Sequence, residues 1–212
     1  KDNEASVVQK ENCMKFLTVL RTGGEYNSDH VYALQRQVEK HIPQAEFYCL
    51  TNANLSCNII PLTESLPGWW SKMELFKIDG PCLYADLDTM IVGNCDNWLE
   101  AIADREFVCL RDPYRGKRDP NAMGSGIMYW RGDMQWVFED YKSCNMPTTI
   151  PGGDQEFLEQ VIMNASFVQD FTDTVVSYKA DCRDGDYNWK DASIVYFHGK
   201  PRPWDQRDIP WS

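Results

Sequence analysis

Apolar residues along the chain fall into short runs rich in β-branched and aromatic residues, and these runs alternate with segments of helical period. The short runs predict strands, and apolar residues that recur every three or four positions predict helices. Turn residues such as Gly23-Gly24, Pro43 and Pro67-Gly68 separate the segments. The predicted strands are Met14–Leu20, Glu46–Leu50, Asn58–Leu62, Pro81–Asp88, Phe107–Leu110, Gly126–Trp130, Val175–Tyr178 and Ser193–Phe197. The first predicted helix has Asp29 as its N-cap and ends before Pro43. The other predicted helices are Trp69–Ile78, Asn97–Ala103, Met134–Tyr141 and Asp154–Met163.

This alternation of strands and helices predicts an α/β fold of Rossmann-like type, in which helices flank a mostly parallel central sheet. Residues 1–13 are predicted as an N-terminal extension because they are largely polar and lack a period. Residues 14–212 are predicted as one domain, which ends in a tail rich in Pro and Trp at Pro201–Trp211.

Composition and net charge limit the kinds of protein that this sequence can encode. The chain is 43% hydrophobic and 13% aromatic, which is enough to bury a core. A net charge of −11 argues against a nucleic-acid partner, which requires a concentrated positive surface. No run approaches the about 18 apolar residues of a membrane span, and no leader pattern is seen, so we expect a soluble protein.

The eight cysteines lie mostly inside apolar runs, such as those around Cys49 and Cys109. This placement predicts buried thiols in a reducing compartment and therefore a cytoplasmic protein. The sequence has no Cys-x-x-Cys pair, and its three His are not spaced like zinc ligands, so a structural zinc site is not expected.

Two carboxylates, Asp86 and Asp88, follow the apolar run that begins at Pro81. At the open edge of an α/β sheet they would lie on one side, and their mutual repulsion would favour a bound cation. Hard oxygen ligands of this kind suit Mg²⁺ or Mn²⁺ shared with a substrate phosphate. Alternatively both residues cap the following turn, or they form the D-x-D of a phosphatase with a nucleophilic aspartate.

The segment Gly124-Ser125-Gly126 precedes a predicted strand, where glycine allows a backbone to approach a ligand or simply forms a tight turn. The third glycine of a dinucleotide-binding fingerprint is missing, and neither a P-loop nor a nucleophile elbow occurs. NAD enzymes, P-loop kinases and serine hydrolases are therefore not expected.

Two further positions are candidates for chemistry. Asp154 follows two glycines at a predicted helix start, either as an N-cap or as an acid directed into a site. His198 ends an apolar strand, either as a structural residue or as a metal ligand. Lys200 and Arg202 follow it and can neutralise a diphosphate.

In this order the paired aspartates, the Gly-Ser-Gly-Ile-Met-Tyr segment, the Gly-Asp-Gln helix start and the His-Gly-x-x-Arg-Pro-Trp tail resemble nucleotide-sugar glycosyltransferases of the GT-A fold. The resemblance is to family 8 and the glycogenin-like enzymes, and it extends to viral members, including a chlorella-virus domain. It runs from about Met14 to Trp204. The tail departs from the pattern typical of family 8, because His198 adjoins Gly199 and Arg202 takes the position of a lysine.

The resemblance implies a GT-A fold and a metal-dependent hexosyl- or deoxyhexosyltransferase, which moves a sugar from a UDP-sugar to a hydroxyl of a glycan or glycoprotein. It implies Mn²⁺ (or Mg²⁺) as cofactor. The implied metal ligands are Asp86, Asp88 and His198, and the implied catalytic residue is Asp154, with Asp133 and Asp181 as substitutes. The implied donor-binding residues are Thr22, Gly23, Gly24, Lys72, Asp86, Gly124, Ser125, Gly126, Lys200 and Arg202.

Several interpretations stay open at this point. The basic loop Arg111–Arg118 is either a lid over the diphosphate or a solvated loop. Trp69 and Trp70 either stack on sugars or belong to the core. The alternatives to a glycosyltransferase are a binding module for sugar nucleotides or glycans without turnover, and a phosphatase or nucleotidyltransferase that uses the same acids.

Overall fold

The computed structural model describes residues 13–207, 209 and 211. Its strands are β1 (Lys15–Leu20), β2 (Glu46–Thr51), β3 (Asn58–Pro61), β4 (Cys82–Ala85), β5 (Thr89–Ile91), β6 (Phe107–Arg111), β7 (Met123–Trp130), β8 (Ser166–Phe167), β9 (Val175–Ser177) and β10 (Ile194–Tyr196). Its α-helices are α1 (Ser28–His41), α2 (Asp96–Ile102), α3 (Gln135–Ser143) and α4 (Asp154–Val161). The 3₁₀ helices are Gly68–Lys77, Arg115–Lys117, Val168–Asp170, Trp189–Asp191 and Pro203–Asp205, and a π-helix covers Tyr178–Arg183.

A central sheet of seven strands has the order β3-β2-β1-β4-β7-β6-β8. Strands β3, β2, β1 and β4 are parallel, whereas β7 runs antiparallel to both β4 and β6. Strand β2 lies on one side of β1, and β4 lies on its other side. The strand order therefore reverses between β1 and β4, which is the point where open α/β sheets bind ligands.

Side chains alternate between the two faces of the sheet, and each face has its own hydrophobic core. In β4, Leu83 and Ala85 pack with α1, while Cys82 and Tyr84 pack with the 3₁₀ helix Gly68–Lys77 and with α3. Helices thus cover both faces of the sheet, and the predicted α/β class with a mostly parallel central sheet is confirmed.

A second sheet of three strands, in the order β5-β10-β9, forms beside the first one. Strand β10 is antiparallel to β5 and parallel to β9. Met90, Val176 and Val195 form a third core, which also holds Ile209 of the tail. The C-terminal part of the chain is therefore packed against the segment that follows β4.

Three predicted elements need correction. The strand predicted at 81–88 is shorter, because β4 ends at Ala85, the chain turns, and the unpredicted strand β5 begins at Thr89. Helix α1 begins at Ser28, and its N-cap is Asn27, whose side chain accepts from the Asp29 amide at 2.9 Å. The predicted helix at 69–78 is a 3₁₀ helix. Strand β8 was not predicted.

The predicted extension lies almost entirely outside the described residues, so the domain boundary stays a prediction. No helix in the part of the chain that the structure describes is long and apolar enough to cross a membrane. All eight cysteines are described and free, and Cys49, Cys82, Cys95 and Cys109 are buried, as their apolar surroundings predict.

Candidate functional site

A cleft of about 690 Å³ opens at the carboxyl ends of β1 and β4, where the strand order reverses. Its volume is in the range of ligand-binding pockets. The cleft contains most of the candidates that the sequence indicates, although their elements are far apart in the chain. The predicted residues that line it are Gly24, Trp69, Lys72, Asp86, Asp88, Gly124, Ser125, Gly126, Asp154, His198 and Arg202.

Asp86 and Asp88 lie in a tight turn that connects the two sheets. The Asp86 amide donates to the Gly126 carbonyl at 2.9 Å, and the Thr89 amide donates to the Asp86 carbonyl at 3.0 Å. A Cβ atom on Gly126 would lie 3.4 Å from Asp86 Oδ2, which is ordinary van der Waals contact. Gly126 thus lies directly beside the first carboxylate.

Lys72 is the cation at the floor of the cleft, and its side chain is 8% exposed. Its ammonium lies 3.0 Å from Asp154 Oδ2 and 3.4 Å from Asp86 Oδ1, and it donates to Ser125 Oγ at 3.0 Å. Burial lowers the pKa of Lys72, but Asp154 and Asp86 raise it by more, so the net shift is upward. The three groups form an ionic triad in which Lys72 and Asp154 are buried and the Asp86 side chain is 31% exposed, and the Tyr84 hydroxyl also donates to Asp86.

Asp88 is 3% exposed and is held by groups from distant parts of the chain. The Tyr26 hydroxyl donates to Asp88 Oδ2 at 3.1 Å, and the Arg202 guanidinium forms an ion pair with the same oxygen. Arg202 also binds Glu25 at 2.8 Å. Burial and the Asp86 carboxylate raise the pKa of Asp88 to about 7, against the lowering effect of Arg202.

Glu25 and the tail complete this side of the cleft. Hydrogen bonds from Arg202 and Lys200 lower the pKa of Glu25 to about 2. Lys200 binds Glu25 at 2.7 Å, but its side chain is 69% exposed and does not line the cleft. The positive charge that faces the cleft from the tail is therefore that of Arg202.

His198 lines the cleft beside Tyr114, whose ring meets the imidazole edge-on at 5.4 Å between centroids. Its Nε2 forms a 2.9 Å hydrogen bond with Ser177 Oγ. Burial lowers the pKa of His198, and Lys179 lowers it further.

The three predicted metal ligands are not assembled in this arrangement. Among residues 13–207, 209 and 211, no three His, Cys, Asp or Glu side chains are placed to hold a metal ion. Asp86 and Asp88 by themselves still fit a divalent ion, since such ions are commonly held by one or two carboxylates together with substrate phosphates. The Arg202 guanidinium on Asp88 shows that this carboxylate accepts a cation partner.

Asp154 is not a helix cap. Gly153 occupies the N-cap position of α4 with φ +72°, and Asp154 is the first helical residue. Its carboxylate is directed to Lys72, so of the two interpretations the structure favours an acid within the cleft. The substitutes do not line the cleft. Asp133 accepts from the Gln135 amide at 2.7 Å and Asp181 from the Ser177 amide at 2.7 Å.

Two of the three arginines in the loop 111–118 form structural ion pairs. Arg111 binds Asp170 at 2.9 Å, and Arg115 binds Glu159 at 2.7 Å. The loop residues that face the cleft are Asp112, Pro113 and Tyr114. Basic charge over the cleft is thus not supplied by this loop in the structure described.

Some positions differ from the sequence interpretation. Thr22 and Gly23 follow β1 but do not line the cleft, and Thr22 binds Asn52. Trp70 is 2% exposed and belongs to the core, whereas Trp69 lines the cleft.

Sequence reasoning missed several polar residues that line the cleft, among them Arg21, Glu25, Tyr26, Tyr84 and Gln155. Glu25 and Gln155 directly follow the candidates Gly24 and Asp154, and Tyr84 lies two positions before Asp86, so adjacency was the available signal. Adjacency does not reveal the roles of Glu25 and Tyr26, because their partners Arg202 and Asp88 are distant in the chain.

No family model matches the sequence, and no curated protein matches it. Solved structures do match in three dimensions. The glycosyltransferase GlyE of Streptococcus pneumoniae TIGR4 has a TM-score of 0.65 at 11% identity, over 93% of this chain and 57% of GlyE. The bifunctional glycosyltransferase WbbM has a TM-score of 0.62 at 8% identity, over 92% of this chain and 47% of WbbM.

A third neighbour is a glycosyltransferase involved in the glycosylation of the major capsid of PBCV-1, with a TM-score of 0.59 at 14% identity. It matches over 90% of this chain and 95% of its own length. The chain thus spans about half the length of GlyE and WbbM and nearly all of the viral protein. At these identities the likeness concerns the fold alone, and it agrees with the glycosyltransferase fold that the resemblance implies.

Proposed function

We propose that this protein is a glycosyltransferase that moves a sugar from a UDP-sugar to a hydroxyl of a glycan or glycoprotein. The observation that carries the proposal is the cleft at the strand reversal, which brings Asp86, Asp88 and Asp154 together with Lys72 and Arg202. Acids and cations in one cleft suit a reaction in which a diphosphate leaves and a hydroxyl loses a proton. The GT-A-type fold supports the same reaction class.

The donor would lie with its diphosphate toward Arg202. A guanidinium presents a planar set of donors that matches phosphate oxygens, and Arg202 is already held at the cleft by Glu25 and Asp88. Gly24 lines the cleft after β1 and would leave space for the nucleoside. Thr22, Gly23 and Lys200 would act at the margin of the donor site.

Mn²⁺ or Mg²⁺ would be held by Asp86 and Asp88, with His198 as a further candidate from the same cleft. When bound, such an ion supplies charge stabilisation for the departing diphosphate. The protein's own part is to place Asp88 beside Arg202, so that phosphate oxygens meet a positive group as negative charge develops on them.

Asp154 would act on the acceptor side. If the enzyme inverts the anomeric centre, the carboxylate would accept the proton of the acceptor hydroxyl; if it retains the centre, the carboxylate would orient the sugar. Lys72 fixes its position at 3.0 Å, and Gln155 lines the cleft next to it.

The test is a panel of nucleotide sugars in thermal-shift and UDP-release assays, with Mn²⁺ and with EDTA. A ligand that binds the folded protein raises its melting temperature, so the panel identifies both the donor and the metal that its binding requires. We expect UDP binding to need the divalent ion and Asp88→Ala to abolish that dependence. Equal UDP affinity in EDTA and in Mn²⁺ would contradict the metal proposal.

Two other outcomes separate the alternatives. Binding of a UDP-sugar without UDP release, with every tested acceptor, would indicate a binding module. Hydrolysis of simple phosphomonoesters would indicate a phosphatase.

A further inference from the structure

Two adjacent tryptophans at the start of the 3₁₀ helix Gly68–Lys77 have opposite environments. Trp70 is 2% exposed, its Nε1 donates to the Thr148 carbonyl at 3.1 Å, and its ring stacks on Tyr141. Trp69 is 63% exposed. Trp70 therefore holds the helix against the core, whereas the Trp69 side chain is not part of that core.

Exposure alone has little meaning, since single apolar side chains are common on protein surfaces. The described residues include five exposed large hydrophobics, which are Ile59, Trp69, Tyr114, Trp136 and Met163. Of these, Trp69 and Tyr114 line the cleft, while the other three do not. The position of Trp69 is thus the informative observation.

Trp69 lies directly against the backbone that leads into Asp154. A Cβ atom on Gly153 would lie 3.1 Å from Trp69 Nε1, so the indole occupies the space that a side chain at position 153 would need. Gly153 has φ +72°, which also favours glycine. The indole and the Asp154 carboxylate therefore belong to one wall of the cleft.

Another part of the cleft lining holds the groups suited to phosphate. Arg202, Asp88 and Glu25 are linked there by ion pairs, and their elements are the tail, the turn after β4 and the segment after β1. The wall with Trp69 and Asp154 comes from the 3₁₀ helix and α4. The charged donor end and the aromatic end are thus built from different elements.

We propose that Trp69 is a stacking platform for a pyranose ring of the acceptor, which makes the acceptor a carbohydrate residue rather than a bare peptide hydroxyl. This inference rests on the proposed function and deepens it. A pyranose has an apolar face of C–H groups and an edge of hydroxyls, so it places its face on an exposed indole and its edge toward polar groups. With the face on Trp69, that edge would meet Asp154, which follows Gly153 and lines the same cleft.

A first experiment measures contact without requiring turnover. The protein is labelled with fluorinated tryptophan, and the fluorine resonances of Trp69 and Trp136 are assigned with Trp69→Phe and Trp136→Phe. Methyl glucopyranosides, galactopyranosides and mannopyranosides are added to about 100 mM, which saturates a site of millimolar affinity. Glycerol and a serine-containing peptide are the non-carbohydrate probes.

We expect at least one pyranoside to shift the Trp69 resonance in a saturable way and to leave that of Trp136 unchanged. Trp136 is a matched control, because it is 44% exposed on α3 and lies outside the cleft. Failure of every pyranoside to shift Trp69 more than Trp136 would overturn the inference. An equal response to glycerol or to the peptide would also overturn it.

A second experiment uses whichever acceptor the UDP-release assay identifies. Trp69→Ala should raise the acceptor KM at least about tenfold, with UDP affinity and melting temperature unchanged, whereas Trp136→Ala should leave the acceptor KM as in the wild type. Trp69→Phe should recover part of the loss because it restores an aromatic face. An unchanged KM in Trp69→Ala would refute the stacking role while transfer by the wild type still supports the proposed function.

Discussion

Replacement of Lys72 by Met tests the ionic triad. Met keeps the volume of the aliphatic stem and removes the charge, so Asp86 and Asp154 lose their shared cation. The Lys72 side chain is 8% exposed and that of Asp154 is also 8% exposed, so water does little to replace the lost partner. Removing one member of a buried ion pair costs about 3–5 kcal/mol, because the remaining charge is left buried.

In a chain of this length, 1 kcal/mol changes the melting temperature by about 2–4 °C, so the variant should melt about 6–20 °C lower than the wild type. Urea unfolding provides the free energy, with an unchanged slope as evidence that the denatured state is the same. The control is Lys142→Met, since Lys142 pairs with Glu139 on the surface and its side chain is 47% exposed. It should change stability by less than about 0.5 kcal/mol.

The double variant Lys72→Met with Asp154→Asn makes the test specific. It removes the charge of Asp154, the buried carboxylate that Lys72→Met leaves without its cation, so it should be more stable than Lys72→Met alone, and the difference measures the coupling of the two positions. A loss below about 1 kcal/mol in Lys72→Met would refute the argument from burial. If the double variant is no more stable than Lys72→Met, then the unpaired charge of Asp154 is not what destabilises the single variant.

Three further predictions follow from contacts in and near the cleft. Asp154→Asn should lower the rate of sugar transfer about 10²- to 10⁴-fold, as measured by UDP release, and a wild-type rate would leave Asp154 with a structural role only. Arg202→Gln should weaken UDP binding about 10- to 100-fold and raise the affinity of Asp88 for Mn²⁺ without donor, both by calorimetry; unchanged constants would argue against its contact with phosphate. Burial raises the pKa of Glu74, but hydrogen bonds from Thr63 and Glu64 lower it by more, so the folded pKa lies below the unfolded one. The ionised Glu74 therefore stabilises the fold above its unfolded pKa, and this contribution is lost as the pH falls through its folded pKa. Glu74→Gln should lower the free energy of unfolding by about 2 kcal/mol near neutral pH, as measured by urea titration, and by less in acid. An equal loss at neutral and acid pH would contradict this prediction.

Hydrophobic period predicted the central sheet and the helices on its faces, because burial on two faces imposes continuous apolar runs. It did not predict where β4 ends. The run from Cys82 to Ile91 is interrupted by Asp86, Asp88 and Thr89, but these polar residues alone do not reveal that the chain turns at Asp86 and enters a second sheet. The pairing of β5 with β10 is decided by residues about a hundred positions away.

The sequence predicts which residues belong to the candidate site, but it does not predict the contacts between them. The sequence placed Asp154 at a helix start, but only the fold directs its carboxylate to Lys72. Likewise, adjacent tryptophans at 69 and 70 are equivalent in composition, and the packing on Tyr141 decides which one is buried. Ion pairs of Arg202 with Glu25 and Asp88 join segments that no local pattern connects.

The network around Asp88 also determines when the cleft is completed during folding. Tyr26 and Asp88 are 62 positions apart, Asp88 and Arg202 are 114 apart, and Glu25 and Arg202 are 177 apart. Contacts of such long range form slowly, because the entropy of closing the intervening chain is lost before the contact contributes. A nascent chain that has emerged only through β7 can pair β1 with β4, yet its acidic turn still lacks both β10 and the guanidinium of Arg202. The central strands can thus pair before the cleft is complete, because the cleft also needs β10 and Arg202, which follow them in the chain.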